Sequence, residues 1–347
     1  MSGPVLIKTN ALSPSPPEEA VTTHPRVIEG IAQEIERRTS GMDVSVRVAD
    51  SPGYLFTDSG LLFEVTGLAN LASLPRVSVG PLSDLGTRMI AGDGFSVLPD
   101  ARISARYLDA AYRINAPKLK THVETEMSGC IKNIFGTADT ETRKKAHRSS
   151  SQKRLADAIV DIFSVRPPEF NIADAVVGME GDGPSHGTPR LTGMIVAGQN
   201  ALAVDWVLCR MMCYGDPASI PLIKAAIDRG IGPASESEIV LNGADWDELP
   251  VAGFKKSTRA LRALPTIIRG LAHGLVKITP VLDESQCAKC WICESVCPVN
   301  AISRTGAYPR IDRKKCVRCL CCHEMCPKGA MTVRKNLLAS LVSGTRR

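Results

Sequence analysis

Twelve cysteines are spread unevenly along this chain of 347 residues, and eight of them form two runs of identical spacing. The first run lies between Cys287 and Cys297, and the second lies between Cys316 and Cys326. Each run has the pattern C-x2-C-x2-C-x3-C and is followed by proline. Three thiolates at these intervals can hold three irons of a cubane cluster, while the fourth ligand comes from elsewhere. A zinc site or a set of disulfides is the alternative, and two identical runs of four cysteines make it the weaker one.

This duplicated spacing resembles that of bacterial-type two-cluster ferredoxins. In that arrangement the fourth cysteine of each run completes the other cluster, so the resemblance implies two 4Fe–4S clusters and single-electron chemistry. The implied ligands are Cys287, Cys290, Cys293 and Cys326 for the first cluster, and Cys316, Cys319, Cys322 and Cys297 for the second.

The cysteine runs depart from the commonest ferredoxin pattern after the second cysteine of each run. Glycine is frequent at that position, whereas this chain has Trp291 and Leu320. We expect these bulky apolar groups to shield the cluster sulfurs from water and so to change the potential. Cys321 is out of register with the expected ligands, and we interpret it as a buried or spare thiol.

Basic side chains form a second group of residues that could bind a ligand or transfer protons. Lys118, Lys120 and His122 follow residues 112–117, which have the character of a strand. Ligands of open α/β sheets collect at the carboxyl ends of strands. Ammonium and imidazole groups suit the binding of carboxylate or phosphate and the donation of protons. The alternative is a solvated surface, which is the commoner fate of such residues.

A glycine-rich loop at 178–187 contains Glu180 and Asp182. Glycine permits positive φ and lets the backbone approach a ligand closely. A long turn is the plain alternative for a loop of this composition. The chain has neither a Walker loop nor a G-x-G-x-x-G fingerprint, so neither type of nucleotide site is supported.

Strand-like and helix-like segments alternate over the first 250 residues, which predicts an α/β domain with a largely parallel sheet. The segments predicted as strands are 4–8, 43–48, 76–79, 112–117, 191–197 and 238–241. Those predicted as helices are 25–35, 59–72, 126–135, 155–162 and 200–213.

The remaining residues divide into three parts. The pattern of residues 251–280 predicts a basic amphipathic linker helix. Its stretch from 254 to 278 contains no acidic residue. Packing of this helix against the two domains that it joins is favoured over contact with a membrane surface. Residues 281–333 predict a small α+β ferredoxin-like domain with the two clusters, and 334–347 form a tail.

The overall charge does not point to nucleic acid. The formal net charge is +6. Ionisation of the ligand thiols, offset by two oxidised cluster cores, lowers it to about +2. No membrane-spanning run and no signal-like apolar segment are visible. Because thiolate ligands need a reducing environment, we expect a cytoplasmic location.

Several short motifs occur in the order in which they appear in the family called domain of unknown function 362. The residues that carry the resemblance are Lys8, Asn10, Thr23, His24, Pro25, Asn115, Pro117, Lys118, Lys120, Thr121, His122, Lys132, Asn133, Gly136, His147, Asp174, Gly178, Glu180, Asp182, Pro184 and Asp205. The resemblance implies that Lys118, Lys120, His122, Lys132, Asn133, Glu180 and Asp182 line one site. It implies no particular reaction.

The favoured interpretation is an iron–sulfur redox protein that passes single electrons to a small anionic molecule in the α/β domain. Lys118, Lys120 and Lys132 would hold the anion, and His122 or His147 would give protons as charge arrives. The alternatives are an electron carrier or activator for a partner protein, and a non-redox enzyme with structural clusters. A further metal in the α/β domain is less favoured, since lysine and asparagine are poor metal ligands.

Overall fold

The computed structural model describes residues 3–51, 59–149, 151–257 and 278–335. Within these residues, the first 250 positions contain an eight-stranded sheet and a separate pair of strands. The strands are β1 (Val5–Lys8), β2 (Val46–Asp50), β3 (Val77–Pro81), β4 (Thr87–Ala91), β5 (Asp100–Ser104), β6 (Tyr112–Asn115), β7 (Lys118–His122), β8 (Glu126–Ser128), β9 (Phe170–Glu180) and β10 (Thr188–Gly198). The helices are α1 (Pro25–Arg38), α2 (Ser59–Val65), α3 (Ala105–Asp109), α4 (Cys130–Ile134), α5 (Thr140–Ala146), α6 (Gln152–Val165), α7 (Ala201–Met211) and α8 (Pro221–Asp228).

The large sheet is mostly parallel and has the order β3-β2-β1-β6-β9-β7-β8, with β10 also paired to β9. Only the β7–β8 and β9–β10 pairs of this sheet are antiparallel. Strand β9 pairs first with the end of β6, where Asn115 faces Asn171, and then with β7, where Lys118 faces Asp174. The predicted α/β domain with a largely parallel sheet is confirmed.

Helices cover both faces of the sheet, as the side chains of β1 show. Leu6 belongs to one hydrophobic core, which includes Ile159 of α6. Its neighbours Val5 and Ile7 belong to a second core, which includes Ile28 of α1. Because successive side chains of a strand point to opposite faces, the two cores lie on opposite sides of the sheet.

Two predicted elements are wrong, and one segment has a structure that was not predicted. Residues 118–122, which were expected only to follow a strand, themselves form β7, because they pair with β9 and β8. The helix predicted at 126–135 contains only α4, since residues 126–128 form β8 and the helix starts after Gly129. Residues 238–241 are not a strand, because Val240 is 86% exposed and a 3-10 turn ends at Glu238.

The C-terminal part is small. Strand β11 (Ile278–Leu282) pairs antiparallel with β14 (Met331–Lys335), and β12 (Ile302–Ser303) pairs with β13 (Arg310–Ile311). Two short helices, α9 (Ile292–Ser295) and α10 (Cys321–Glu324), each contain a cysteine of one run. Most of the predicted linker helix, residues 258–277, lies outside the described residues, as do 336–347 of the tail.

The C-terminal part packs against the α/β domain through Leu320, which is 1% exposed. Leu320 shares a small hydrophobic cluster with Val123, in the turn after β7, and with Val333 of β14. Leu12, after β1, contacts the core of the C-terminal part. In the part of the chain that the structure describes, no helix has the length and apolar character needed to cross a bilayer.

Candidate functional site

The four cysteines implied for the first cluster lie close together. The pKa of the Cys293 thiol is raised to about 11, mainly by burial and in smaller part by the charges of Cys290, Cys326 and Cys287. Cys326 belongs to the second run, so the chain brings its thiol back to the first run. Thiols crowded in this way ionise readily only when a metal shares their charge, which fits an iron–sulfur cluster.

The four cysteines implied for the second cluster also lie close together. Burial raises the pKa of the Cys322 thiol well above its usual range, and nearby Cys319, Cys316, Cys293 and Cys297 add to the effect. The backbone N–H of Ala301 donates a hydrogen bond to the Sγ of Cys297 at 3.1 Å. Donors of this kind commonly stabilise cluster sulfurs.

Trp291 and Leu320 occupy a left-handed backbone conformation, with φ of +61° and +59°. This conformation explains why glycine is common at the position, because side chains with a Cβ adopt it at a cost of about 1 kcal/mol or more. Trp291 is half-buried, and the centre of its ring lies 5.1 Å from Cζ of the Arg304 guanidinium. Leu320 instead fixes the C-terminal part onto Val123.

A cavity of about 80 Å³ lies where the α/β domain meets α10. It is large enough for several water molecules or a small ligand. Its charged and polar lining comes from Lys8, Asn10, Asp50, Ser51, Lys120, His122, Ser128, Lys132, Asn133, Arg143, His147 and Glu324. Four of these side chains are cationic by nature and two are carboxylates, so the cavity favours a negatively charged occupant.

The carboxyl ends of β1 and β2 form one wall of this cavity. Lys8 Nζ lies 2.6 Å from Asp50 Oδ1 and donates to the carbonyl of Thr9 at 2.7 Å. Asp50 Oδ2 also accepts from the backbone of Ala11 at 2.6 Å. Burial lowers the pKa of Lys8, although the charge of Asp50 opposes this. This pair therefore shapes the wall and contributes little net charge.

Asn133 joins three elements at the same edge. Its amide nitrogen donates to Thr9 O at 3.0 Å and to Asn115 Oδ1 at 2.8 Å, and its oxygen accepts from Asn10 at 2.8 Å. Helix α4, which contains Asn133 and Lys132, is held at its start by buried Asp205. The carboxylate of Asp205 accepts the N–H groups of Cys130 and Ile131, at 2.5 and 3.0 Å.

Lys120 is buried and has a strongly perturbed ammonium group. Its Nζ donates to the carbonyl of Val21 at 2.8 Å. Burial, with the nearby charge of Lys132, lowers the pKa of Lys120 to about 7. A lysine of this kind exchanges its proton near neutral pH.

Lys132 faces the cavity without an ion pair or a hydrogen bond to its Nζ among the described residues. The Nζ lies 5.8 Å from the centre of the Phe135 ring. Burial lowers the pKa of Lys132, while the charges of Glu324 and Glu124 act in the opposite direction. This ammonium group is thus oriented toward the cavity and available to an anion.

The ring of His122 has a defined tautomer. Its Nδ1 accepts the backbone N–H of Glu124 at 3.1 Å and that of Thr125 at 3.4 Å, so the proton of the neutral ring resides on Nε2. Nε2 lies 3.4 Å from Oε1 of Glu324. Burial lowers the pKa of His122 to about 4, so the ring is neutral near pH 7.

His147, at the end of α5, lies beside a carboxylate. Its Nδ1 is 3.2 Å from Oε2 of Glu124, and its ring contacts Phe135 edge to face. Burial alone would lower the pKa of His147, but the charge and hydrogen bond of Glu124 outweigh it, and the pKa is raised.

The structure brings five of the predicted site residues to the cavity, namely Lys120, His122, Lys132, Asn133 and His147. The other three are not among its lining residues. Lys118 is paired with buried Asp174 at 2.8 Å, and Glu180 accepts the backbone N–H of Lys255 at 2.9 Å. Asp182 lies in the glycine-rich loop, which packs on β7: a Cβ at Gly183 would be 2.2 Å from Thr121 O.

Seven charged or polar lining residues were not predicted as site residues: Lys8, Asn10, Asp50, Ser51, Ser128, Arg143 and Glu324. Lys8 and Asp50 end parallel strands, which is where ligands of such sheets collect. That position was the available sequence signal for them. Glu324 could be suspected only from its place between two cluster cysteines.

The fold and the cysteine arrangement define an α/β protein with a C-terminal iron–sulfur domain. Residues 280–303 match the profile of the 4Fe-4S binding domain. Residues 5–210 match the domain of unknown function DUF362, and this match covers more than half of the chain. The chain belongs to the DUF362 family. The resemblance noted in the sequence is confirmed, while a second cluster remains a prediction.

A curated relative is the thylakoid-associated protein sll1697 of Synechocystis sp., which is 28% identical over 277 residues, covering 79% of this chain and 80% of that protein. Among solved structures, the lactate racemase apoprotein of Thermoanaerobacterium thermosaccharolyticum matches 59% of this chain and 49% of its own, with 13% identity and a TM-score of 0.38. A Thermotoga maritima protein solved by a structural genomics consortium matches 61% and 54%, with 16% identity and a TM-score of 0.39. The chain spans about half the length of these two solved structures, and at such TM-scores we infer neither fold nor activity from them.

Proposed function

We propose that this protein is an iron–sulfur redox protein that delivers single electrons from two 4Fe–4S clusters to a small anion held in the cationic cavity. One observation carries the proposal. Glu324 and Met325 line the cavity opposite the α/β domain, and they lie in sequence between Cys322 and Cys326. The anion and the proposed cluster ligands are therefore separated by one short helix.

The charge of the cavity supports an anion as its occupant. Lys8 is neutralised by Asp50. Glu324 is half-buried, and its pKa is lowered by His122 and Lys132 despite its burial, so it stays ionised. Lys132 lines the cavity, and in its ammonium form it would have no ion-pair partner among the described residues. In a site with little water, such a charge attracts an anion more strongly than it would in solution.

Reduction of an anion requires protons, and two side chains of the cavity have pKa values that suit proton transfer near neutral pH. Lys120 has a pKa of about 7, and the pKa of His147 is raised, so both groups can give a proton near neutral pH. His122 differs from them, because its ring is neutral and its Nε2–H serves as a hydrogen-bond donor. We assign the proton transfer to Lys120 and His147, and the orientation of the anion to His122.

The experiment is reoxidation of the reduced protein without oxygen. The clusters are reduced, excess reductant is removed, and a panel of reducible oxyanions and carboxylates is added while the cluster absorbance is followed. We expect at least one member to restore the absorbance at a rate that saturates with its concentration. Lys132→Met should raise the half-saturating concentration by about 10-fold or more, because it removes the ammonium group without shortening the chain.

Lys224→Met is the matched control, since Lys224 is an exposed lysine of α8 that pairs with Asp228 and does not line the cavity. It should leave the saturation curve unchanged. The proposal fails if no anion restores the absorbance, or if Lys132→Met and Lys224→Met behave alike.

A further inference from the structure

Cys321, the thiol that the cluster spacing leaves out, lies beside a buried carboxylate and a buried imidazole. Ligand atoms of Cys321, Glu124 and His147 all lie within 4.8 Å of one another. The three residues come from α10, from the turn between β7 and β8, and from the end of α5. We propose that together they bind one divalent transition-metal ion, which is separate from the iron–sulfur clusters.

The spacing of the donor atoms suits a single ion. Oε2 of Glu124 and Nδ1 of His147 are 3.2 Å apart. Two donors bound at about 2.05 Å to one tetrahedral zinc ion are about 3.3 Å apart. An ordinary hydrogen bond would explain this distance equally well. The thiol of Cys321 adds a third donor atom within 4.8 Å of the other two, and this set of three suits a metal ion.

The chemistry of the donor set selects the class of ion. Thiolate sulfur, imidazole nitrogen and carboxylate oxygen together suit zinc and its first-row neighbours, whereas magnesium and calcium prefer oxygen alone. Three protein ligands are also the number found where one position stays open to water or substrate. His147 lines the cavity as well, so an ion held by the three residues lies beside the cavity. The ion would take the place of the proton between Nδ1 of His147 and Glu124, which leaves Lys120 as the proton source of the proposed redox function.

The thiol of Cys321 is within hydrogen-bonding reach of Cys319, but the register of the second run excludes it from the expected cluster ligands. Cys319 and Cys322 already satisfy the x2 interval of the second run. Cys321 opens α10 and is 1% exposed. Glu124 is 4% exposed and His147 is 5% exposed. All three residues are therefore shielded from solvent, and a cation bound there would interact with their charges at a lower dielectric than in water.

The test is metal analysis of the full chain, purified without oxygen and dialysed against zinc and then against buffer. Iron, zinc and acid-labile sulfide are measured together, because cluster iron is matched by sulfide and the proposed ion is not. We expect about one tightly held zinc per chain. Its X-ray absorption spectrum should show one sulfur neighbour and otherwise nitrogen or oxygen.

Cys321→Ala and Glu124→Gln should each lose this zinc and keep the iron and sulfide of the parent. Cys209→Ala is the matched control, since Cys209 is a fully buried cysteine of α7, and it should keep the zinc. If Cys321→Ala does not fold, Glu124→Gln decides alone, because it preserves side-chain volume and replaces no cysteine.

Two results would overturn the proposal. One is zinc binding by the parent no greater than that of Glu124→Gln. The other is a loss of iron and sulfide in equal amounts from Cys321→Ala, which would make Cys321 a cluster ligand. Neither result depends on whether an anion reoxidises the clusters, so this test and that of the redox function are independent.

Discussion

The Nε2 of His122 lies 3.4 Å from Oε1 of Glu324, and this contact joins the sheet to the helix that contains Cys322. The orientation of the imidazole is fixed from the other side, because Nδ1 accepts two backbone N–H groups. The ring therefore presents its Nε2–H to Glu324 without carrying a charge. The contact places a carboxylate in a cavity that is otherwise cationic.

Sulfate binding should depend on pH through Lys120. Because the pKa of Lys120 is lowered to about 7, its ammonium form predominates below that pH and is lost as the pH rises through it. We expect sulfate affinity, measured by calorimetry without other anions, to fall by several-fold between about one unit below and one unit above this pKa. Sulfate itself does not titrate in this range.

Lys120→Met should bind sulfate more weakly than the parent at the lower pH and show a smaller change toward the higher pH, where His147 still titrates. Lys132→Met should keep the pH dependence while lowering the affinity throughout. A parent protein whose sulfate affinity is constant across this range would contradict the role given to Lys120.

Leu320→Ala should destabilise the protein by roughly 2–4 kcal/mol, because it removes a buried side chain from the contact with Val123 and Val333. Urea unfolding measures this difference. Trp291→Ala is the matched control at the equivalent left-handed position of the other run, where the side chain is only half-buried. Both variants retain a Cβ, so backbone strain cancels. Equal losses of stability would show that Leu320 does not fasten the two parts.

Asp205→Asn should lower the free energy of unfolding by about 2–3 kcal/mol, because the N–H groups of Cys130 and Ile131 bond to different carboxylate oxygens and one of these becomes an NH2 donor. Since those bonds hold the start of α4, sulfate binding through Lys132 should weaken in the same variant. Urea unfolding and calorimetry measure the two effects. A variant with normal stability and normal sulfate affinity would show that Asp205 does not position α4.

Cys316→Ala should lose the iron and sulfide of one cluster and retain those of the other, because Cys316 is assigned to the second group of thiols only. Iron and sulfide analysis of protein prepared without oxygen gives the result. Cys213→Ala, which changes a half-buried cysteine after α7, provides the control and should retain all of the iron. Loss of both clusters in a Cys316→Ala protein that remains folded would argue against separate clusters.

Much of the cavity could be predicted from sequence because its residues are near one another in short segments. Lys120 and His122 are two positions apart in a strand, so they share a face. Lys132 and Asn133 are neighbours in α4. Lys118 was grouped with them because it is close in sequence, but its charge is neutralised by Asp174, a pairing that no local pattern reveals.

The remaining features depend on contacts between distant segments. Lys8 and Asp50 meet because β1 and β2 are neighbours in the sheet, and strand order was not specified by the sequence. The glycines near Asp182 indicated close approach by a ligand, whereas Gly183 approaches strand β7. The glycines thus correctly indicated that another group approaches the backbone closely, but they did not show that this group is a strand of the same chain.

The wall formed by Glu324 and Met325 means that the cavity is the property of the joined chain and of neither part alone. A ferredoxin module grafted from another protein could restore the cysteines and still leave the cavity misshapen. Conversely, substitutions that adapt the cavity to a new anion must be compatible with α10. Under the proposed function, the residues that select the anion and the part of the chain that supplies electrons would then have to change together.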